Sequence, residues 1–395
     1  MFWPWSKKKT LPFPEGPFIT GCVDVMDNCS KDSLFVRLIY PTDANIHYLD
    51  KNSHRWVPWF PEDKYIESFS ILLNLWLVVL RFILWLMGKD VYIPTLWEEP
   101  VTNQVKKLRV VVFSHGYGAT RFLCSTICNE LASRGYLVVC LEHRDESASL
   151  TYYYASESAR NRDERTYILA KPFVAMDMQH YLLRNGQMKY RSYECSKVLQ
   201  LLSQINNGSF QNKFRSNFDL SCFKDKIDLS DPVLMGHSFG GATSIYALAK
   251  DDRFKLGIIL DGWMFPLKNE LHMNVNKPLL FINSQTFSIN ANIQMMRTFS
   301  TLPQSTLYTI RNTTHESHTD TPIVFGYWLN FMMKKLNSNV ALKIQNYLVL
   351  DFLHKYHGLQ LDENQIERYL SFQSENIVKD YILHSTQGKK HFTMW

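Results

Sequence analysis

The sequence predicts an α/β fold with a mostly parallel central sheet and helices on both faces. Three observations support this prediction. The chain has 395 residues, of which 46% are hydrophobic, so it can form a large core. From Arg109 onwards, apolar runs of strand length alternate with helical stretches, a rhythm typical of parallel sheets. The motif GHSFGG joins one such run to a helix, and sites in these sheets lie at the carboxyl ends of the strands.

The predicted elements follow one another in a simple order. Residues 17–40 contain two predicted strands, of which LFVRLIYP is the clearer. The runs RVVVFSHG and YLVVCLEH predict strands on either side of a helix near residues 121–134. A long helical stretch over about 173–205 precedes the GHSFGG motif, and three more strand-like runs follow it: KLGIILDG, KPLLFINS and STLYTIRN.

Charge and cysteine content narrow the functional classes. The net charge is +6, but the longest basic run is Lys7–Lys9, so the sequence predicts no nucleic-acid surface. The seven cysteines fit neither a disulfide framework nor a zinc site, which favours a reducing compartment. No side-chain cluster has metal-ligand spacing, so we expect neither a metal nor a cofactor. The stretch MFWPWSKKKT lacks the apolar core of a signal peptide, which predicts a cytoplasmic protein, and nothing indicates an obligate protein partner.

The segment DPVLMGHSFGGAT, residues 231–243, is the first candidate for chemistry. An apolar run precedes it, and Ala242–Lys250 has helical spacing, so Ser238 is predicted at a sharp turn between strand and helix. Gly236 and Gly240 leave room for the backbone to double back. This context is typical of a nucleophile elbow, with an ordinary glycine-rich turn as the alternative.

A serine nucleophile needs a histidine base and an acid that orients the base, which follow in the order Ser, Asp or Glu, His. Asp261 comes directly after LGIIL, at the carboxyl end of the next strand, and is the predicted acid; a strand-end turn residue is the alternative, and Asp320 is the next acid to test. His315 follows STLYTIRN most closely and is the predicted base. His318 is expected to be a surface or supporting residue, and His272 has no placement in its favour.

The run VVVFSHGYGAT predicts the loop that would bind an oxyanion. Two backbone N–H donors are needed, and one comes from the residue after the nucleophile, here Phe239. Gly116 and Gly118 allow the loop after the strand to turn its amides inward, with Tyr117 N–H as the second donor. A simple turn is the alternative, but the combination of HGxG and GxSxG in this order is far more specific than either motif alone.

Several phrases together resemble one known family. FSHGYGATR, LASRGYLVVCLEHRDESAS, GHSFGGAT, LDGWMFPL and PLLFINSQ are similar to the platelet-activating factor acetylhydrolases of the plasma and intracellular type II class. The resemblance also includes GPFITGCVDVM and LFVRLIYP, and it extends over residues 12–357. It implies an α/β-hydrolase fold and a calcium-independent hydrolase that cleaves the sn-2 acetyl, short or oxidised acyl ester of phospholipids.

The family's catalytic residues map onto Ser238, Asp261 and His315, and its oxyanion amides onto Tyr117 and Phe239. These positions coincide with those reached from the residues alone. Two other functions stay open: a lipase or carboxylesterase with a different acyl preference, and an inactive lipid-binding homologue. An inactive homologue commonly loses the nucleophile, the base or the oxyanion glycines, and all of them are present here.

Residues 69–87 form the most apolar segment, FSILLNLWLVVLRFILWLM. Polar or small residues recur every seven positions in and just beyond this segment, at Glu67, Asn74, Arg81 and Gly88, which predicts one helix with a narrow polar stripe. A transmembrane span, a buried core helix and an interfacial helix are the alternatives. We favour the interfacial helix, because a phospholipid must leave a membrane or aggregate to reach the serine.

The expected organisation has three parts. Residues 1–15 form an aromatic and basic N-terminal segment, which would suit the same lipid surface unless it frays. Residues 16–357 form the α/β-hydrolase catalytic domain, and residues 358–395 form a polar tail packed on the domain or trailing it. The expected partners are a phospholipid substrate and a membrane or lipid-aggregate surface, with peripheral membrane association.

Overall fold

The computed structural model describes residues 9–44, 55–87, 91–171, 178–270, 273, 275–300, 304–326 and 335–380. Most of the predicted aromatic and basic N-terminal segment (residues 1–8), His272, and residues 381–395 of the tail lie outside the described residues.

The strands are β1 (Lys9–Thr10), β2 (Thr20–Met26), β3 (Phe35–Pro41), β4 (Trp56–Pro58), β5 (Val91–Trp97), β6 (Leu108–Ser114), β7 (Tyr136–Leu141), β8 (Leu150–Tyr154), β9 (Arg165–Leu169), β10 (Ile227–His237), β11 (Leu256–Leu260), β12 (Leu279–Ser284), β13 (Thr306–Ile310) and β14 (Ile377–Lys379). The helices are α1 (Asp63–Leu72), α2 (Leu77–Met87), α3 (Ser125–Ala132), α4 (Glu157–Asn161), α5 (Met178–Asn207), α6 (Phe239–Lys250), α7 (Asn290–Ser300), α8 (Thr321–Val324), α9 (Ser338–His357) and α10 (Glu363–Phe372).

Twelve of the described strands form one sheet, in the order β1-β5-β2-β3-β7-β6-β10-β11-β12-β13-β14, with β4 paired to β5. The six strands from β7 to β13 in this order run parallel to their neighbours. The β2–β3 hairpin joins them antiparallel to β7. The mostly parallel sheet predicted from the strand and helix rhythm is therefore confirmed.

Helices cover both faces of this sheet, also as predicted. Along β6, Val111 and Phe113 point into one hydrophobic core with residues of α3 and α9. Val110 and Val112 point into the other core with residues of α5, α6 and α7. Successive strand residues face opposite sides of a sheet, so an unbroken apolar run marks a strand that is buried on both faces.

The expected flanking segments both contribute strands to the central sheet. β1 pairs in parallel with β5, and β14 pairs antiparallel with β13, with Ile310 opposite Ile377. Between the domain and the tail, Gly358 ends α9 in the left-handed conformation, with φ at +61°. β1 therefore lies within the expected N-terminal segment and β14 within the expected tail; strands of two or three residues are too short to show an alternating sequence pattern.

The apolar segment 69–87 is not one helix, and that prediction is wrong. α1 ends at Leu72 and α2 begins at Leu77, and the two helices are bent by 117° relative to each other. Asn74 adopts a φ of +50°, the left-handed conformation that interrupts a helix. Across the described ranges, no single helix is long and apolar enough to cross a bilayer; α1 and α2 meet those criteria only when counted together.

Candidate active site

Ser238 lies at the sharp turn between β10 and α6, as predicted. Its backbone has φ +57° and ψ −115°, a conformation that costs free energy for any residue with a side chain. A Cβ atom at Gly236 would lie 2.1 Å from Gly240 O, and one at Gly240 would lie 1.9 Å from Ser114 O. Glycine is therefore required on both sides of the serine, which is the physical basis of the GHSFGG pattern.

Backbone hydrogen bonds hold this turn in place. Ser238 N donates to Leu260 O at the end of β11, at 2.9 Å. Ser238 O accepts from Gly241 N and from Trp263 N, both at 2.9 Å. The serine is thereby fixed to two elements at the carboxyl edge of the sheet, the place where the sequence predicts the site.

The structure brings the predicted acid and base together. Asp261 directly follows β11, and His315 begins the short 3₁₀ turn after β13. His315 Nδ1 lies 3.0 Å from Asp261 Oδ2, in hydrogen-bonding contact. Ser284 holds the carboxylate through its amide N–H, at 2.6 Å from Oδ1, and through its hydroxyl. The Phe287 ring stacks on the imidazole with ring centroids 4.0 Å apart, so both side chains are oriented.

His315 also contacts the nucleophile turn. The rings of His315 and His237, the residue before the nucleophile, have centroids 4.6 Å apart. His237 Nε2 lies 3.3 Å from the backbone oxygen of His315. The predicted base therefore lies against the turn that carries Ser238, although the two residues are 77 positions apart in sequence (238 to 315).

His318 is a buried supporting residue and not a surface residue. Its Nδ1 is hydrogen-bonded to the side-chain oxygen of Gln345, and its Nε2 lies 3.7 Å from Asp261 Oδ2. Burial lowers the pKa of the His318 imidazole, which keeps it neutral near pH 7. His318 packs behind Asp261, whereas His315 is the histidine in hydrogen-bonding contact with Asp261.

Asp320, the alternative acid, directly precedes α8, and its carboxylate lies against the N-terminus of α3. Its Oδ2 accepts from Ser125 N at 2.8 Å and from Trp59 Nε1 at 3.1 Å, and its Oδ1 accepts from Thr126 N at 3.1 Å. Burial raises the pKa of the Asp320 carboxyl to about 6. These contacts satisfy N–H groups at a helix terminus, a structural role that is distinct from orienting a base.

The predicted oxyanion loop, which contains Gly116 and Gly118, lies against Ser238, the predicted nucleophile. A Cβ atom at Gly116 would be only 3.2 Å from Ser238 Cβ. Gly118 has a φ of +68°, and its N–H donates to Ser147 O at 2.7 Å, which turns the loop. Phe239 is the first residue of α6, where backbone N–H groups lack partners within the helix. The structure thus places the segments of Tyr117 and Phe239 at the same turn.

The sequence matches one family model over residues 4–377, that of "Platelet-activating factor acetylhydrolase, isoform II". The chain belongs to this family. The match spans both flanks of the central sheet and every residue of the candidate site, so the resemblance drawn from the motifs is confirmed.

Curated relatives of this family are similar along most of their length. The chain is 33% identical over 384 residues to the platelet-activating factor acetylhydrolase of Canis lupus familiaris, covering 94% of this chain and 83% of the relative. It is 33% identical over 385 residues to that of Gallus gallus, covering 94% and 90%. Among solved structures, a ferulic acid esterase from Streptomyces cinnamoneus is 18% identical, with a TM-score of 0.60 and coverage of 94% and 99%. The shared architecture confirms the α/β-hydrolase fold.

Sequence reasoning missed a second serine–histidine–carboxylate array below the oxyanion loop. Ser114 Oγ lies 2.8 Å from His143 Nε2, and His143 Nδ1 lies 2.6 Å from Glu194 Oε2. Ser114 and His143 are both 0% exposed, so a substrate has no access to this serine. The array links the end of β6 to α5 and is structural. Glu194 lies in the middle of a long helix, where no local pattern distinguishes it.

Proposed function

We propose that the chain is a calcium-independent serine hydrolase that cleaves the sn-2 acetyl, short or oxidised acyl ester of platelet-activating factor and related phospholipids. The 3.0 Å contact between His315 Nδ1 and Asp261 Oδ2, next to the strained Ser238 turn, is the observation that carries this proposal. The names of the dog and chicken relatives support the substrate class.

In the acylation step, Ser238 Oγ attacks the carbonyl carbon of the ester while His315 Nε2 accepts the hydroxyl proton. Asp261 fixes the tautomer of the imidazole and stabilises the imidazolium that forms. The carbonyl oxygen becomes an oxyanion, to which Tyr117 N–H and Phe239 N–H donate. When the ester C–O bond breaks, the leaving lysophospholipid oxygen takes the proton from His315 Nε2, and the acyl group stays on Ser238.

In the deacylation step, water takes the place of the lysophospholipid. His315 Nε2 accepts a proton from the water, whose oxygen attacks the acyl carbon and forms a second oxyanion at the same amides. Collapse returns the proton to Ser238 Oγ and releases the carboxylic acid. The same five residues therefore serve both halves of the reaction.

We further propose that the enzyme works at a membrane surface as a peripheral protein of the cytoplasm. Support comes from α2, whose outer face exposes apolar side chains, including Val78 at 77% and Phe82 at 58%. All seven cysteines are free thiols, which supports a reducing compartment.

Hydrolysis of phosphatidylcholines with sn-2 chains from acetyl to palmitoyl, in excess chelator, tests this function. We expect the specificity constant to be highest for acetyl and to fall with chain length, with Ser238→Ala as the inactive control. Preference for long chains would favour a lipase, no turnover of any ester would favour an inactive homologue, and loss of activity on chelation would contradict the metal-free mechanism.

A further inference from the structure

We propose that Arg191 is the positioning residue of the oxyanion hole, because one guanidinium contacts both segments that present the two N–H donors. The inference rests on the proposed function and goes beyond its five residues. Arg191 lies on α5, and its side chain is fully buried. Its Nη1 donates to the backbone oxygen of His115 at 2.6 Å, and its Cζ lies 4.4 Å from the centroid of the Phe239 ring.

The contacts of Arg191 with the loop of residues 115–118 help to orient the Tyr117 amide. Gly116 O accepts from His115 Nδ1 at 2.7 Å and from Ala119 N at 3.3 Å, and Arg191 Nη2 lies 3.5 Å from it. The carbonyl of Gly116 and the N–H of Tyr117 belong to the same peptide plane, which is trans. In a trans peptide these groups point in opposite directions, so donors that hold the carbonyl on one side direct the N–H to the other.

The contact with Phe239 acts on the second donor. A guanidinium stacked on an aromatic ring is attracted to the ring face, and this attraction is stronger in a buried site. Phe239 is 0% exposed and begins α6, so a fixed ring also limits movement of the backbone N–H next to Ser238. Arg191 therefore connects the two donor segments through a single rigid group.

The guanidinium is itself held rigidly by the loop that follows β7. Arg191 Nε donates to Asp145 Oδ2 at 2.9 Å and to Ser147 Oγ at 3.0 Å, and Asp145 is buried. One face of α5 continues the contact, because Gln187 Nε2 donates to Asp145 O at 2.6 Å and Arg184 Cζ lies 4.2 Å from the Tyr117 ring centroid. Donors fixed before the reaction stabilise an oxyanion without reorganisation.

The test compares Arg191→Met and Arg191→Lys with the wild type and with a matched control, Arg144→Met. Arg144 is also buried and binds backbone, with Nε donating to Ser33 O at 3.2 Å, but among the described residues none of its side-chain hydrogen bonds goes to the loop of residues 115–118. Titration with a fluorophosphonate gives the concentration of active sites in each protein. kcat, calculated per active site, and KM are then measured with a soluble short-chain ester. Inhibition constants follow for a trifluoromethyl ketone, which forms an oxyanion adduct with the serine, and for the matching alcohol, which does not.

We expect Arg191→Met to lower kcat by about a hundredfold or more, the size seen on loss of one oxyanion donor, with KM nearly unchanged. The inhibition constant of the ketone should rise by a similar factor while that of the alcohol stays constant. Arg191→Lys keeps the charge but not the planar geometry and should lose about tenfold. Arg144→Met should lower the unfolding temperature and leave the ketone-to-alcohol ratio as in the wild type.

If the ratio of the ketone and alcohol inhibition constants in the Arg191 variants equals that of the wild type, the inference is overturned. A purely structural arginine would change stability and not this ratio. If Arg191→Met does not fold, the ratio in Arg191→Lys decides in the same way. Failure of the fluorophosphonate to label Ser238 in the wild-type enzyme would instead overturn the proposed function, so the two failures are distinguishable.

Discussion

At the scale of single residues, Ser238 has a strained backbone conformation, with φ at +57°, which the surrounding structure maintains. Ser238→Ala should fold normally and lose ester hydrolysis by about a million-fold, because the nucleophile is removed and the backbone is not. Mass spectrometry after fluorophosphonate labelling should find the probe on Ser238 and not on the buried Ser114. A variant that is still labelled or active would require another nucleophile.

The two histidines of the HESH turn should differ sharply in their effect on turnover. His315 is hydrogen-bonded to Asp261, whereas His318 lies behind the acid and is bonded to Gln345. His315→Ala should lower kcat by about ten-thousandfold or more, and His318→Ala by about tenfold. Steady-state kinetics of both variants on one soluble ester provides the comparison, and the reverse ranking would show that the base is misassigned.

Substitution of the two candidate acids should affect different properties, turnover in one variant and stability in the other. Asp261→Asn should keep the fold and lower kcat by about ten-thousandfold, because the amide no longer fixes the productive tautomer of His315. Asp320→Asn removes a carboxylate that accepts N–H groups at the start of α3, so its unfolding temperature should fall while kcat is largely retained. Thermal unfolding and kinetics of the two variants check this. An inactive Asp320→Asn variant that still folds would assign the acid role to Asp320.

At the scale of elements, α2 has one buried face and one exposed face. Leu80 and Leu84 pack into the core, whereas Val78, Phe82 and Trp85 are exposed. Arg81 Nη2 lies 3.9 Å from Glu67 Oε1 on α1, so two residues of the predicted polar stripe connect the two helices. An exposed apolar face at a helix of this kind is typical of an interfacial contact.

We expect Val78→Glu combined with Phe82→Glu to lower binding to phosphatidylcholine vesicles by about tenfold or more, since charge on this face opposes insertion among lipids. Hydrolysis of a soluble ester should stay unchanged. Vesicle flotation measures binding, and Phe372→Glu, an exposed apolar position on α10, is the matched control. Equal loss of vesicle binding in the double variant and in Phe372→Glu, or loss of activity on the soluble ester, would contradict a specific docking face on α2.

At the scale of the whole molecule, a buried charge cluster joins the β2–β3 hairpin to the loop after β6. Asp24 Oδ1 accepts from Arg37 Nε at 2.7 Å, and Asp24 Oδ2 accepts from Arg121 Nη2 at 2.8 Å. Arg121 also donates to Glu142 Oε2 at 2.7 Å. Burial by itself would raise the pKa of the Asp24 carboxyl, but Arg121 and Arg37 together lower it to about 2.

Because this folded-state pKa is below the ordinary aspartate value, Asp24 contributes stability above about pH 4 that is lost as the pH falls towards 2. Asp24→Asn should lower the free energy of unfolding by about 3–5 kcal/mol at pH 7, since it leaves the buried Arg37 guanidinium without its carboxylate partner and Arg121 with Glu142 as its remaining one. The difference from the wild type should shrink below pH 4. Urea unfolding at several pH values tests both points, and a constant difference would contradict the pKa assignment.

The sequence by itself determined the features that arise from local pattern and order. The unbroken apolar runs marked strands buried on both faces, and Gly236 and Gly240 marked a turn that tolerates no Cβ atom. The order Ser238, Asp261, His315, at the carboxyl ends of β10, β11 and β13, predicted the acid–base pair, because parallel strands bring their carboxyl ends to one edge. Such features depend on a few neighbouring residues, which a sequence displays directly.

Only the tertiary structure decided which distant residues support that site and where the apolar segment bends. Arg191 and Glu194 lie in the interior of α5, where helical spacing shows a buried face but not its partners. The break at Asn74 lies within a run whose other residues are mostly apolar, and β14 is too short for its sequence to indicate that it pairs with β13. These features depend on contacts between segments that are distant in sequence. Such contacts leave no periodic pattern in the sequence of either segment.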